Sequence, residues 1–450
     1  MSNILILFYF LVILAIGLFV KDTKKSNFLY SGRKLTIPAF VATLVSTWYG
    51  AILEVGRFSY HNGVSTWLIF SLFYYLAAIG FAKYISKQIN QSDAPSIPER
   101  FSKYYNKKAG VLAAIIIFFL VTPAPYIKML ADMLSYLWGI NIFVCLIIGT
   151  TFSVLYTLRG GFASVIRTDI IQFILMFFGF GAMLAYLYSS YGGYSFLSSN
   201  LSSDMLSIPG KLNWGYILVW GFIALITFID PGFYQRTYSG KDPNVVKKGI
   251  YISVVFWFIF DFMSISIGLY SAALLPEITH SPYLDLADLI LPPLFKAMFI
   301  VSLLSVIMST IDSFIFISGY TFGVNILSEY ISSKKLDSVG LTKVGIAVSG
   351  LFSVILATFF NFAVDIWYTM GSFAVPALLI PLLATYFKIE IKNIVTVMYI
   401  PLFTTGLWFL FGYMNSAGQG WITYPLDIDP MYPGLLMSLI LYFIFKSRCN

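Results

Sequence analysis

Charged residues are scarce in this 450-residue sequence, at 11%, whereas hydrophobic residues make up 59% and the mean hydropathy is +0.83. Soluble globular proteins carry about 25% charged residues, so this composition excludes that class. Neither the two cysteines, Cys145 and Cys449, nor the two histidines have the spacing of a metal site, and two cysteines make no disulfide framework. Because the sequence contains no recognisable catalytic nucleophile or phosphate-binding loop, we do not expect an enzyme.

Long apolar segments recur from end to end, each close to the roughly 20 residues that a helix needs to cross a bilayer. They predict an all-α membrane protein with about 13 transmembrane helices. The first segment lacks the basic flank and the cleavage site of a signal peptide, so we expect it to be retained. The predicted spans are 3–20, 36–57, 64–87, 109–135, 139–157, 164–188, 213–234, 249–275, 293–329, 342–361, 364–386, 393–413 and 431–446.

The basic residues predict the orientation. Most of the 28 Lys and Arg residues lie in alternate loops, and such residues collect on the cytoplasmic side of a membrane. This predicts a multi-pass protein of the plasma (inner) membrane with its N-terminus outside and its C-terminus in the cytoplasm. Orientation also explains the net charge of +8 better than nucleic-acid binding does. No loop is long enough to fold alone, so residues 1–450 are predicted to form a single membrane domain.

Asp169 stands at the start of an apolar segment. A carboxylate at membrane depth costs about 2.5 to 3.5 kcal/mol, so such a residue usually faces an interior site and has a partner. A bound cation is one candidate partner. The alternative is structural: Asp169 pairs with Arg167, or it caps the helix together with Thr168.

A second polar cluster lies within the predicted span 293–329. Ser309, Asp312 and Ser313 are predicted to share one helix face, with Thr310 on an adjacent face. Hydroxyl and carboxylate oxygens are hard ligands that suit an alkali cation. Alternatively, the hydroxyls bond back to carbonyls of their own helix or hold neighbouring helices together.

Several segments together resemble one family, the sodium:solute symporters, over nearly the whole chain. The double-glycine to Thr-Asp-x-x-Gln spacing and the Asp-Pro to Gln-Arg block are specific in combination. The matching segments are LYSGRKL (29–35), SIPERFSKYYN (96–106), GGFASVIRTDIIQ (160–172), DPGFYQRTYSGKDP (230–243), MSTIDS (308–313) and GSFAVPALLIPLL (371–383).

The resemblance implies a leucine-transporter-like fold. In that fold two five-helix repeats of inverted topology hold the binding sites near the bilayer midplane, where broken helices line a cavity. One extra N-terminal and two extra C-terminal helices are expected to flank the repeats. The resemblance also implies a sodium site, formed by the carbonyls of Ala42, Val45 and Val306 and the hydroxyls of Ser309 and Thr310.

Some members of the family have an additional sodium site, and its matching positions here are Asp169, Asp312 and Ser313. Two carboxylates that face one site repel each other unless a cation lies between them or one is protonated. We therefore hypothesise a second sodium site or an ion exit path there, with two sodium ions accompanying each substrate. In the structural alternative, Asp169 only organises the helix end.

The resemblance also suggests which residues line the substrate cavity. A charged substrate recognised by Glu54 or Lys128 is one hypothesis, and simple Glu54–Arg57 and Lys128–Asp132 ion pairs are the alternative. The expected cavity residues are Ser46, Thr47, Trp48, Tyr49, Tyr126, Lys128, Trp220, Thr227, Phe228, Trp367 and Tyr368. The block from Asp230 to Arg236 is interpreted instead as the cytoplasmic end of a span with a structural or inner-gate role, in which Arg236 holds freed carbonyls or Asp242.

The sequence thus predicts a secondary active transporter that imports a small organic solute, coupled to inward sodium flux by alternating access. Sodium is the only metal expected, with no cofactor, no nucleic acid and no obligate protein partner; the expected partners are the solute, sodium ions and the lipid bilayer. The alternatives are a symporter-like sensor, for which the C-terminus leaves no room for an output domain, and a proton-coupled or uncoupled carrier. Uptake with and without a sodium gradient would separate them.

Overall fold

The computed structural model describes residues 2–19, 24–331, 336–359, 363–416 and 424–447. Within these ranges the chain is helical, and its β pairing is confined to two isolated bridges. The α-helices are α1 Ser2–Phe19, α2 Lys25–Tyr30, α3 Ile37–Trp48, α4 Ile52–Asn62, α5 Phe73–Tyr84, α6 Ser86–Asn90, α7 Ile97–Tyr104, α8 Lys107–Leu120, α9 Ala124–Trp138, α10 Ile142–Tyr191, α11 Tyr194–Asn200, α12 Trp214–Ile223, α13 Pro231–Ser239, α14 Pro243–Leu274, α15 Pro282–Ile290, α16 Pro293–Tyr320, α17 Ser338–Phe359, α18 Ala363–Tyr386, α19 Ile394–Asn415 and α20 Met431–Phe445. Short 3₁₀ segments lie at Ser31–Arg33, Gly63–Ser65, Ser203–Leu206, Ala224–Ile229, Leu327–Glu329 and Pro425–Asp427, and π-helical segments lie at Leu68–Leu72 and Thr321–Ile326.

Eight helical segments among the described residues are long and apolar enough to cross a membrane. A ninth forms when α3 and α4, bent by 59°, count as one broken span. Helix α10 has 50 residues, about 75 Å at 1.5 Å per residue, which is more than twice the bilayer core of about 30 Å. It therefore accounts for two of the predicted spans, while the total number of crossings stays a prediction.

Helix α10 changes direction at Gly161. This residue has φ of +57°, and a Cβ atom there would lie 2.5 Å from the carbonyl oxygen of Phe28. Glycine is the residue that tolerates both the left-handed backbone and the close approach. The break lets the second half of α10, which carries Asp169, run back through the protein.

A second break separates α3 from α4. Helix α3 ends at Trp48 and α4 begins at Ile52, and a Cβ atom on the intervening Gly50 would lie 2.5 Å from the side chain of Thr310. The break therefore packs directly against α16. All residues of α16 from Phe299 to Tyr320 except Phe314 are buried, so α16 is the helix around which the others pack.

The helical segment that contains the predicted span 213–234 is interrupted at Asp230 and extends beyond the predicted end. Asp230 caps the N-terminus of α13, since its Oδ1 atom accepts a hydrogen bond of 2.7 Å from the Phe233 amide, and Pro231 occupies the first turn, where proline fits well. Pro231 thus begins a helix rather than ending one, and the span continues to Ser239. The consequence is that Arg236 lies inside the protein.

Candidate cation site and solute cavity

Asp169 lies at the centre of a buried polar group formed by four helices. Its side chain is 0% exposed. The Oδ1 atom accepts a hydrogen bond of 2.6 Å from Ser309 of α16, and Oδ2 accepts one from Thr43 of α3. The Oδ2 atom is also 3.3 Å from an Nη2 atom of Arg236, on α13.

The guanidinium of Arg236 fills the space between these helices. Its Nη2 atom donates to Thr47 at 2.6 Å and to Ser313 at 2.7 Å, and its Nε atom donates to Thr43 at 3.1 Å. The Nη1 atom reaches the Gly232 carbonyl at 3.4 Å. Every nitrogen of the guanidinium therefore has a partner, as a fully buried cation requires.

These contacts correct two interpretations made from the sequence. Arg167 is exposed, so it is not the partner of Asp169. Asp242 caps α14 by accepting from the amides of Asn244 and Val245 at 2.9 Å, so it is not the partner of Arg236. The bridge between Asp169 and Arg236 joins residues that are 67 positions apart.

The hydroxyls expected at the sodium site lie where α16 meets the end of α3. Thr310 donates to the carbonyl oxygen of Thr47 at 2.8 Å, and the Ser309 hydroxyl is 2.8 Å from that of Ser46. Thr47 belongs to the last turn of α3, whose carbonyls lack amide partners within their own helix. The interface between the two helices is thus rich in oxygen atoms.

The residues expected to contribute carbonyls are also in these two helices. Ala42 and Val45 belong to α3 and Val306 belongs to α16, and all three are buried. The Val306 carbonyl lies 3.3 Å from the Thr310 hydroxyl.

Asp312 does not join the group around Asp169. Both its carboxylate oxygens are buried and make no hydrogen bond with any described residue. Its nearest polar neighbours are the hydroxyls of Tyr156 and Ser153 of α10. Ser309 and Ser313 thus contact Asp169 or Arg236, whereas Asp312 forms no ion pair or hydrogen bond with either residue.

A cavity adjoins this polar group and shares Thr47 and Arg236 with it. Its walls come from the break between α3 and α4 and from parts of α5, α8, α9, α13, α14, α16 and α18. The lining residues are Leu44, Thr47, Trp48, Tyr49, Ala51, Val55, Phe70, Tyr74, Leu120, Val121, Tyr126, Ile226, Asp230, Gly232, Phe233, Arg236, Asp261, Phe314 and Trp367.

Five of the expected cavity residues are in this lining, namely Thr47, Trp48, Tyr49, Tyr126 and Trp367. The other six are outside it: Ser46, Lys128, Trp220, Thr227, Phe228 and Tyr368. Ser46 contacts Ser309 instead, Trp220 packs on Phe70 with ring centroids 5.2 Å apart, and Tyr368 donates a hydrogen bond to Asp429. Spacing along a helix does not reveal which neighbour each face meets.

Lys128 lies in a separate pocket together with Glu54, Arg57 and Asp132. The two ion pairs predicted from sequence spacing are present there, Lys128 to Asp132 at 2.8 Å and Arg57 to Glu54 at 3.2 Å. These four charged residues therefore do not face the cavity between the broken helices.

Sequence reasoning missed three charged residues of the cavity. The sequence places Asp230 and Arg236 at the end of a span, and Asp261 is absent from the predicted cavity lining. Asp261 gives the same signal as Asp169, since it is a lone carboxylate in the middle of the predicted span 249–275. No signal in the sequence pointed to the contact between Arg236 and Asp169.

Comparisons with known proteins show the family to which the chain belongs. The sequence model of the sodium:solute symporter family matches residues 28–389. A sodium/glucose cotransporter of Vibrio parahaemolyticus is 25% identical over 397 residues, which cover 76% of this chain and 72% of the relative. A sodium/pantothenate symporter of Haemophilus influenzae is 25% identical over 376 residues, covering 78% of this chain and 75% of the relative.

A solved structure of a Na⁺-coupled sialic acid symporter, in its substrate-bound outward-open state, matches the whole fold with a TM-score of 0.78. The match covers 100% of this chain and 99% of that chain at 14% identity. The expected leucine-transporter-like fold is thereby confirmed. The matching family and relatives are transporters rather than enzymes. With most of its length matched by the family's own sequence model, this chain is a multi-pass membrane protein that belongs to the sodium:solute symporter family and couples solute import to sodium.

Proposed function

We propose that this sodium-coupled importer binds its coupling ion between α3 and α16. The ligands are the carbonyls of Ala42, Val45 and Val306 and the hydroxyls of Ser309 and Thr310. The observation that carries this proposal is the 2.8 Å contact between Thr310 and the Thr47 carbonyl at the broken end of α3. Oxygen atoms from both helices meet at that point, and such atoms suit an alkali cation.

The position of this site gives a physical reason for coupling. Helix α3 ends in a break that also forms a wall of the solute cavity, while α16 is buried in the middle of the protein. An ion that binds both helices has a higher affinity for the conformation that holds them together. This difference in affinity is what links ion binding to the opening and closing of the cavity.

Asp169 and Ser313 form a second cation position in this proposal. The Arg236 guanidinium occupies it here, at 3.3 Å from Asp169 and 2.7 Å from Ser313. Sodium and the guanidinium carry the same charge and need the same oxygen atoms, so they occupy this position in turn. A second sodium ion therefore binds only when Arg236 leaves, and Asp312 provides a further carboxylate along the ion's path.

The orientation follows the distribution of basic residues, with the N-terminus outside and the C-terminus in the cytoplasm. Solute and sodium then enter together from outside. The membrane potential contributes about 2.3 kcal/mol per 100 mV for each sodium ion that accompanies the solute.

Thermal unfolding of the purified protein tests the sodium site without knowledge of the solute. The midpoint is compared in NaCl and KCl at equal ionic strength, because an ion that binds only the folded state stabilises it by about 2.7 kcal/mol at a concentration 100 times its Kd. We expect the wild-type protein to unfold at a higher temperature in NaCl than in KCl. Thr310→Val removes the hydroxyl while keeping the side-chain volume, and it should lose most of that stabilisation.

Ser305→Ala is the matched control in the same helix. The Ser305 hydroxyl donates to the carbonyl of Val301 at 2.8 Å, within its own helix, so its loss should leave the response to sodium unchanged. Equal midpoints of the wild type in the two salts would contradict the proposal, as would an equal loss in both variants. Uptake into proteoliposomes with an imposed sodium gradient then measures transport itself.

A further inference from the structure

Asp261 is a buried carboxylate on the wall of the solute cavity. It lies within α14, is 2% exposed, and accepts a hydrogen bond from Tyr75. Among the described residues it has no ion pair with a basic side chain. A carboxylate at membrane depth usually has a cationic partner or lines a path for one.

Asp230 is a second carboxylate in the same lining. It accepts a hydrogen bond from the Phe233 amide at the start of α13, and in the described part of the chain it too forms no ion pair. Arg236 is the one basic side chain among the described lining residues, and in this conformation its contacts with Asp169, Thr47 and Ser313 hold it at the cation site. In this conformation the cavity therefore holds two carboxylates, and neither forms an ion pair with a described residue.

Aromatic side chains form much of the remaining wall, among them Trp48, Phe70, Tyr74, Tyr126 and Trp367. The faces of such rings attract an organic cation through their quadrupoles. Tyr74 is 1% exposed, and its hydroxyl makes no hydrogen bond with any described residue. A buried polar group without a partner calls for an explanation, and a ligand in the cavity would give Tyr74 a partner.

The size of the cavity limits the ligand. Its free volume is about 80 Å³, which is room for roughly five to eight water-sized groups at about 10–15 Å³ each. A solute with a similar number of non-hydrogen atoms fits this conformation.

We infer that the transported solute is a small organic ammonium ion, held by Asp261 and Asp230 and surrounded by the aromatic wall. This inference rests on the proposed function, because it takes the cavity beside the sodium site as the solute site. The positive group lies between the carboxylates and the rings, and the Tyr74 hydroxyl receives or donates a hydrogen bond at the polar end of the solute. Sodium and solute then both carry positive charge into the cell.

A matched pair of probes tests the role of charge. Choline and 3,3-dimethyl-1-butanol have the same shape. Choline carries a positively charged quaternary nitrogen where the alcohol has a neutral carbon. Binding to the purified wild-type protein in NaCl is measured by the change in tryptophan fluorescence, to which Trp48 and Trp367 in the wall contribute. We expect choline to bind at least tenfold more tightly than the neutral alcohol. Equal affinity of the two probes, or binding of neither, would overturn the inference.

Asp261→Asn examines the residue itself. We expect it to reduce choline affinity at least tenfold while leaving the affinity for the neutral alcohol unchanged, and an unchanged choline affinity would overturn the role of Asp261. Stabilisation by sodium is measured in parallel and should persist in this variant, which shows that it is folded. Loss of the response to sodium in the wild type would instead contradict the proposed sodium site, so the two failures are distinguishable. If Asp261→Asn does not fold, Tyr74→Phe serves as the second variant, with an expected loss of choline affinity and no change in the response to sodium.

Discussion

Replacing Asp169 by asparagine removes the one carboxylate that the Arg236 guanidinium contacts among the described residues. Asparagine has nearly the same shape, so the packing of the four helices should survive. What changes is the charge, because the guanidinium remains fully buried without a counter-ion. The hydroxyls of Thr47 and Ser313 still accept its hydrogen bonds, but they do not neutralise it.

The structure gives the size of this effect. The closest charged atoms are 3.3 Å apart, which corresponds to about 5 kcal/mol of attraction at an effective dielectric constant of about 20. Removing one partner of a buried pair typically costs about 3–5 kcal/mol, because the other charge stays buried. We therefore expect Asp169→Asn to lower the free energy of unfolding by about 3–5 kcal/mol.

Two further variants separate charge from packing. Arg236→Gln leaves Asp169 alone, but sodium can neutralise a carboxylate, so this variant should be more stable in NaCl than in KCl. The double variant buries no charge at this position, so it should be more stable than Asp169→Asn alone. Its loss in free energy of unfolding should be smaller than the sum of the losses in the two single variants.

Unfolding of the detergent-solubilised variants, followed by tryptophan fluorescence in NaCl and in KCl, measures these differences. The control is Asp93→Asn, which breaks a 2.7 Å ion pair with Lys103 at a position where the aspartate side chain is 86% exposed. That variant should unfold like the wild type, since exposed pairs contribute little. The reasoning is refuted if the loss in free energy of unfolding of the double variant equals the sum of the losses of Asp169→Asn and Arg236→Gln. It is also refuted if Asp93→Asn lowers the free energy of unfolding as much as Asp169→Asn does.

Gly161→Ala should prevent folding or strongly reduce the folded yield, because its Cβ atom would lie 2.5 Å from the Phe28 carbonyl on a backbone with φ of +57°. The control Gly181→Ala meets only a sulfur atom at 3.8 Å and should fold normally; size-exclusion chromatography compares the two, and equal yields would contradict the argument. Outside the membrane, burial raises the pKa of Glu99, although a hydrogen bond from Tyr320 at 2.5 Å opposes this. The folded state then binds the proton more tightly than the unfolded chain, so stability falls as pH rises from about 4.3 through the raised folded pKa. The unfolding midpoint should depend less on pH across that range in Glu99→Gln than in the wild type. An equal pH dependence in both proteins would show that another group is responsible.

The sequence alone determined that this is a helical membrane protein, where its apolar segments lie, and which segments resemble a family. Hydropathy depends on composition within a window, so it can be read without tertiary structure. Asp169 was also recognisable, because a carboxylate within an apolar segment is conspicuous wherever the helix packs. The same signal at Asp261 was available in the sequence.

The partners of these residues were decided by the tertiary structure. Helical spacing tells which side chains share one face, but the neighbour that a face meets depends on how the helices cross. Ser309 and Ser313 therefore reach Asp169 or Arg236, while Asp312 from the same turn lies beside Tyr156 and Ser153 in the first half of α10. Arg236 lies in the centre of the protein because α13, which begins at Pro231, is buried there. A proline in the sequence does not show whether the helix that follows it is buried. Buried charge needs a counter-charge in three dimensions, and chain order does not specify where that counter-charge comes from.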